Sequence, residues 1–153
     1  MSLTVQSPVS GLVVALDDVP DPVFAGKIVG PGVAVTPDPA SGDEVSALAP
    51  ISGTVSKIHP HAYVITDDNG RSILVHLGLD TVGLGGNGFT LLVAEGEVVD
   101  AGQPAITWSP AQIEADGLNA IVPVIALEGQ ESVLTPVPSG RRVEAGDPLM
   151  TWA

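Results

Sequence analysis

Apolar and polar positions alternate along this chain in short runs that glycine and proline break. The runs at 11–16, 31–36, 44–49, 51–58, 61–66, 72–79, 89–94, 104–108 and 119–127 are rich in Val, Ile and Leu, which predicts strands. One segment departs from this habit. Ser109 is suited to capping and Pro110 to a first helical position, so 109–117 is expected as a short helix. DDVPDPVFAGKIVG (17–30) and GLDTVGLGGNG (78–88) show no period and are expected as loops. The expected fold class is all-β: a compact antiparallel β sandwich or barrel with at most one or two short helices.

Several segments echo one another. VQSPVSGLVVAL (5–16), LAPISGTVSKI (48–58) and LTPVPSGRRV (134–143) share an apolar–x–Pro–x–Ser–Gly-like core. GEVVDAGQPAITW (96–108) and RRVEAGDPLMTW (141–152) share V-x-A-G-x-P-x-x-T-W. Each reads as strand, glycine turn and second strand, too small to bury an apolar face by itself. An internal duplication within a single domain, 1–153, follows as the expectation.

Composition narrows the function classes. The chain is 44% hydrophobic but only 3% aromatic, so branched aliphatic side chains must fill the core. Without cysteine there is no disulfide framework, thiolate metal site or thiol nucleophile. The net charge of −13 leaves five basic residues, of which only Arg141 and Arg142 are adjacent. Sequence-independent nucleic-acid binding needs clustered cations and is therefore excluded. An acidic surface suits a basic protein partner, or simply solubility. The N-terminal MSLTVQSPVSG lacks a secretory pattern, and no apolar run is long enough to insert in a membrane. A cytoplasmic protein is expected.

The histidines are His59, His61 and His76. HAYVIT (61–66) and RSILVH (71–76) flank Asp67-Asp68-Asn69-Gly70, a hairpin signal. A two-residue turn at Asp68-Asn69 sets His61 directly opposite His76; one at Asn69-Gly70 makes the pair diagonal. Either register leaves both imidazoles on one face, because side chains alternate with period two. Paired imidazoles serve as zinc ligands. They also serve phosphoryl transfer, one ring as nucleophile and the other as donor to phosphoryl oxygens. They are equally compatible with an exposed sheet face that does neither.

VHLGLDTV (75–82) resembles the phosphorylation-site signature of glucose-type enzyme IIA domains of the bacterial sugar phosphotransferase system. HAYVITDDNG (61–70) is similar to that family's upstream strand and turn, and the interval of fifteen residues from His61 to His76 also matches. DDVPDPVFAGKIVGPGVAVTP (17–37) resembles the family's first half, and ISGTVSKI and EGEVVDAG extend the likeness over nearly the whole chain.

The resemblance implies a β sandwich with a shallow apolar depression around two catalytic histidines. His76 would accept a phosphoryl group from the histidine-containing phosphocarrier protein and pass it to the IIB domain of a sugar permease. His61 would stabilise the transferring group. It implies no bound cofactor and no metal in the isolated protein, although His61 and His76 would be zinc ligands in some partner complexes. Val23, Phe24 and Leu74 would supply an apolar docking patch, while Asp21 and Asp80 would meet a partner's arginines. Gly78, or the loop after it, would fix the His76 tautomer through a carbonyl. The chain departs from the family at His59, where a hydroxyl residue usually supports the phospho-acceptor. His59 either takes over that support or is a solvated loop residue.

Other classes fit less well. A zinc peptidase of the lysostaphin type would use a His-x-His pair such as His59-Pro60-His61, but it also needs an upstream histidine, and none precedes His59. A biotinyl or lipoyl carrier needs a lysine at a hairpin tip, which neither Lys27 nor Lys57 supplies. A regulatory module acting on enzymes or transporters through the same face is compatible with phosphoryl transfer, since added phosphate would change that face's charge.

Overall fold

The computed structural model describes residues 2–38 and 44–153. An eight-stranded sheet forms its broadest layer. In spatial order it holds β13 (Arg142–Val143), β2 (Gly11–Ala15), β3 (Gly32–Pro37), β11 (Val122–Ala126), β7 (Ser72–His76), β6 (Ala62–Thr66), β5 (Gly53–His59) and β9 (Val98–Val99). Two smaller sheets accompany it. One orders β1 (Leu3–Gln6), β14 (Pro148–Trp152) and β12 (Leu134–Pro136); the other orders β4 (Val45–Leu48), β10 (Pro104–Trp108) and β8 (Thr90–Leu91). Every pairing is antiparallel. The all-β antiparallel class expected from the sequence is the class observed.

The segments that echo in sequence have a common form. Each leaves one sheet and enters another: β1 leads to β2, β4 to β5, β12 to β13, β9 to β10 and β13 to β14. The two V-x-A-G turns both put their glycine at positive φ, Gly102 at 89° and Gly146 at 93°. Side chains that cannot bury their apolar face within one unit therefore bury it between sheets. Val5, Leu149, Ala47, Ile106 and Trp108 from the small sheets meet Val13, Val35, Ile65, Ile73, Val75 and Val124 from the large one. The Tyr63 hydroxyl on β6 donates to the Leu48 carbonyl on β4 at 2.7 Å, linking two sheets through the core's margin.

The helix at 109–117 is present in trimmed form as α2 (Pro110–Ala115), with Ser109 accepting from the Gln112 N–H at 3.1 Å and Pro110 in the first turn. The stretch 17–30 is not the plain loop expected. It holds a 3₁₀ turn at Leu16–Asp18 and a short helix, α1 (Pro22–Ala25), that Asp21 caps. The expected strands 72–79 and 119–127 are shorter, ending at His76 and beginning at Val122, because the residues between them form the loops that carry the site. Strands β1, β9, β12, β13 and β14 add to those expected; they are the short arms of the repeats.

A second, smaller apolar cluster lies on the other face of the large sheet. Ala34 and Ile125 point there, and Leu16, Val19, Phe24, Leu79 and Ile121 cover them. This cluster positions the histidines.

Candidate functional site

Alternation along β7 decides where His76 stands. Ile73 and Val75 enter the inter-sheet core, so Leu74 and His76 face the smaller cluster. The strand ends at His76 because the next residues turn sharply. Gly78 has φ 83° and Asp80 φ 60°, both in the left-handed region. A Cβ on Gly78 would lie 2.7 Å from Thr81 Cγ2 and 3.0 Å from the Asn119 carbonyl oxygen, so any other residue would strain the turn and displace its neighbours. The turn is pinned at three points. Gly78 N–H donates to Ile121 at 3.1 Å, Leu79 N–H donates to Asn119 at 2.8 Å, and the buried Thr81 hydroxyl donates to Leu77 at 2.8 Å. So held, the Gly78 carbonyl accepts from His76 Nδ1 at 2.6 Å. A carbonyl can only accept, which assigns the proton to Nδ1 and leaves the Nε2 lone pair open.

His61 reaches the same place by a route that differs from the expected hairpin. The β6–β7 loop is three residues, Asp68-Asn69-Gly70, and not two: Asp67 N–H donates to Arg71 at 2.9 Å, and Gly70 takes φ 82°. This register sets Ala62 opposite His76 and corrects both registers expected above. Strict alternation would then turn His61 to the opposite face. It escapes because it lies outside the strand. β5 and β6 pair His59 with Ala62, so Pro60-His61 form a two-residue turn, and the His61 side chain projects from that corner. The His61 and His76 rings meet edge to face with centroids 5.1 Å apart. A backbone bond from Leu77 N–H to His61 at 2.8 Å ties turn to strand.

Phe24 packs on the other side of His76, ring centroids 5.1 Å apart. It is only 7% exposed and so belongs mainly to the small cluster beneath His76. Val23, its neighbour on α1, is 42% exposed, and Leu74 is half-buried opposite Val64 on β6. Asp21 caps α1 by accepting from Val23 N–H at 2.9 Å, while Asp80 is exposed on the turn after β7. His59, exposed, stacks on His61 with centroids 5.9 Å apart and planes 19° from parallel. His61, Phe24 and Gly78 thus contact the His76 imidazole directly, Asp21 and Asp80 act on it by charge, and His59 reaches it through His61.

Burial is the main force on both candidate histidines. It holds the His76 pKa below its ordinary value, against the opposing pull of the Gly78 hydrogen bond and of Asp21 and Asp80. Burial lowers the His61 pKa too, and the nearby charges of His76 and His59 lower it further. Both rings are therefore neutral at pH 7. A neutral ring with Nδ1–H engaged and Nε2 open is a nucleophile.

Two imidazoles make up half of a tetrahedral zinc shell. Among the described residues no group of three or more His, Cys, Asp or Glu side chains is placed to hold a metal ion. These residues fit a zinc ion only with ligands from elsewhere.

Sequence reading missed three parts of the site. The Thr81 hydroxyl and the Asn119 carbonyl brace the turn after β7; Thr81 stood within the quoted VHLGLDTV, whereas backbone carbonyls leave no sequence signal. Lys27 has φ 56° and bridges Asp17 at 2.9 Å and Glu131 at 2.6 Å, tying the segment that carries Asp21, Val23 and Phe24 to the chain's C-terminal third. Val82, 68% exposed, adds an apolar side chain on the loop beyond Asp80.

Residues 3–133 match the model of a family described as phosphoenolpyruvate-dependent sugar phosphotransferase system, EIIA 1. The chain is 41% identical over 125 residues to the glucose-specific EIIA component of Oceanobacillus iheyensis, covering 80% of this chain and 73% of that protein. It is 36% identical over 148 residues to the β-glucoside-specific EIIBCA component of Bacillus subtilis, covering 95% of this chain but 24% of that longer protein. In three dimensions it is similar to glucose permease IIA from Mycoplasma capricolum, with a TM-score of 0.87, 32% identity, and coverage of 99% of this chain and 96% of the other.

Proposed function

The chain belongs to the EIIA 1 family of the phosphoenolpyruvate-dependent sugar phosphotransferase system, whose members are phosphoryl carriers in sugar uptake, and from that premise we propose that His76 is its phospho-acceptor, through Nε2. The observation that carries this is the bond between His76 Nδ1 and the Gly78 carbonyl at 2.6 Å. It fixes the tautomer, leaves the Nε2 lone pair open and removes the need for a separate general base.

The donor is the histidine-containing phosphocarrier protein. The Nε2 lone pair of His76 forms a bond to phosphorus as the donor's N–P bond breaks, and the donor's imidazole leaves with that electron pair. Transfer between imidazoles asks for alignment and charge stabilisation rather than strong base chemistry. His61, whose ring meets that of His76 edge to face, hydrogen-bonds the phosphoryl oxygens. The acceptor is the IIB domain of a sugar permease, a reading supported by relatives such as the Bacillus subtilis EIIBCA component, in which the three letters stand in one chain. Val23, Phe24 and Leu74 form the apolar floor and rim of the docking face. Asp80 and Asp21 orient a basic partner, raising association rate more than affinity. The work takes place in the cytoplasm, without a resident cofactor.

Transfer in vitro tests this. Wild type, His76→Gln and His61→Gln are mixed with phosphoenolpyruvate, enzyme I and the phosphocarrier, then examined by intact mass and acid lability. Acid-labile phosphate on wild type and His61→Gln, absent from His76→Gln, is expected. His61→Gln should then fail to discharge onto a IIB domain at the wild-type rate. Wild type that takes no phosphate from a competent phosphocarrier refutes the reading.

A further inference from the structure

The three histidines form a row, and the outermost has no part in the reading so far. His59 is the last residue of β5 and pairs with Ala62, which itself lies opposite His76. Its ring lies near-parallel to His61, centroids 5.9 Å apart and planes at 19°, and the His61 and His76 rings meet edge to face at 5.1 Å and 74°.

His61 needs such a neighbour. It projects from a two-residue turn and is only half-buried, so its backbone is held while its ring has room to rotate. The backbone restraints are explicit: Leu77 N–H bonds the His61 carbonyl at 2.8 Å, and Pro60 has its φ locked by its own ring. The glycine loop lies close over the other side of Pro60, where a Cβ on Gly86 would come within 3.3 Å of Pro60 Cγ. None of these contacts touches the imidazole. Among the described residues, the aromatic neighbours of the ring are His76 and His59. A donor that must meet developing charge gains from being oriented beforehand, because rotation into place is then not part of the barrier.

We infer that His59 is a positioning residue for phosphoryl transfer: its stacked ring fixes the plane in which His61 meets the phosphoryl group on His76. The inference rests on the carrier reading above and deepens it. Stacking, not the His59 ring nitrogens, is the agent. The two-residue Pro60-His61 turn brings His59 and His61, two apart in the chain, to adjacent places on one corner.

The test uses the full chain as wild type, His59→Ala and His59→Phe, each phosphorylated from the labelled phosphocarrier and then chased onto a IIB domain. Imidazole resonances of His61 are followed in parallel by NMR. The alanine variant should accept phosphate within about twofold of the wild-type rate. Its onward transfer should slow by about two- to tenfold, the range a lost aromatic pair supplies. Phenylalanine should restore onward transfer, and the His61 ring shifts should move in the alanine variant and return toward wild type in the phenylalanine variant. An alanine variant that discharges at the wild-type rate makes His59 a solvated rim residue and overturns the inference. A phenylalanine variant as slow as alanine overturns it too, by assigning the role to the ring nitrogens. Wild type that accepts no phosphate is a separate outcome, which refutes the carrier reading and removes the step His59 would serve.

Discussion

On the inner face of the large sheet, Val33, Val35, Ile73, Val75, Val122 and Val124 are at most 2% exposed and lie against two further sheets. On its outer face, Ala34, Leu74 and Ile125 are covered by Leu16, Val19, Phe24, Leu79 and Ile121, which come from connecting segments, with Val29 and Leu127 packed beside them. Val75 and His76 are chain neighbours, yet each belongs to a different one of these clusters. The inner cluster excludes water so thoroughly that the Trp108 indole nitrogen within it has no hydrogen-bond partner among the described residues. The outer one is a single layer thick. That is enough burial to keep an imidazole neutral, and thin enough for a partner to reach Nε2. Stability and chemistry are thereby separated by one step of strand alternation.

Breaking the inner face should move stability and leave transfer alone. Ile73→Ala removes a fully buried side chain and should cost about 2–5 kcal/mol, measured by denaturant unfolding. The protein that remains folded should take phosphate at the wild-type rate. A large loss of transfer with stability intact would show that the two faces are not independent.

Breaking the turn at the outer face should do the reverse in proportion. Gly78→Ala forces a side chain onto a backbone at φ 83° and into the Thr81 methyl group. A destabilisation of about 1–3 kcal/mol is expected, together with slower acceptance, because the Gly78 carbonyl must shift from His76 Nδ1. Acceptance at the wild-type rate would mean that this hydrogen bond does not set the reactive tautomer.

The smallest expected effect sharpens the comparison through pH. His76 and His61 both have folded pKa values depressed below the ordinary 6.5. The folded chain therefore binds these protons less readily than the unfolded chain. Stability should be fully present above about pH 6.5 and decline as pH falls toward the depressed folded values. Acceptance should hold level through the same interval and fall only when His76 itself becomes protonated. Replacing His76 by Gln should flatten part of the stability slope, read from unfolding curves between pH 7 and 5. An unchanged slope would place His76 in a wetter environment than the small cluster provides.

Some of this was legible in the chain and some was not. Val-rich alternation gave the central strands closely, since a period of two is a property of local sequence. The short arms β9, β12 and β13 were visible only as repeats: a run of two or three residues carries no period, and only the neighbouring sheet makes it a strand. The helix α1 was read as loop because four residues cannot signal helix by periodicity; the Asp21 cap and Pro22 were the available clues. The nearness of His61 to His76 was expected, but on a two-residue turn that the structure replaces with three. Loop length at Gly70 depends on which N–H groups the Asp67 carboxylate accepts from, here those of Asn69 and Arg71, and the alternation of apolar and polar positions does not encode that choice.

By itself, then, the amino-acid sequence determined the all-β class, the repeated sheet-to-sheet units, the acidic charge and the set of histidines, because each is fixed by residue type and near spacing. Tertiary structure alone decided the rest. It chose which face His76 occupies, brought the Gly78 carbonyl to Nδ1, laid Phe24 beneath the ring and stacked His59 on His61. Those relations join segments far apart in the chain, or turn on a single step of register, and packing on both faces of the large sheet together with hydrogen bonds in its loops selects among them.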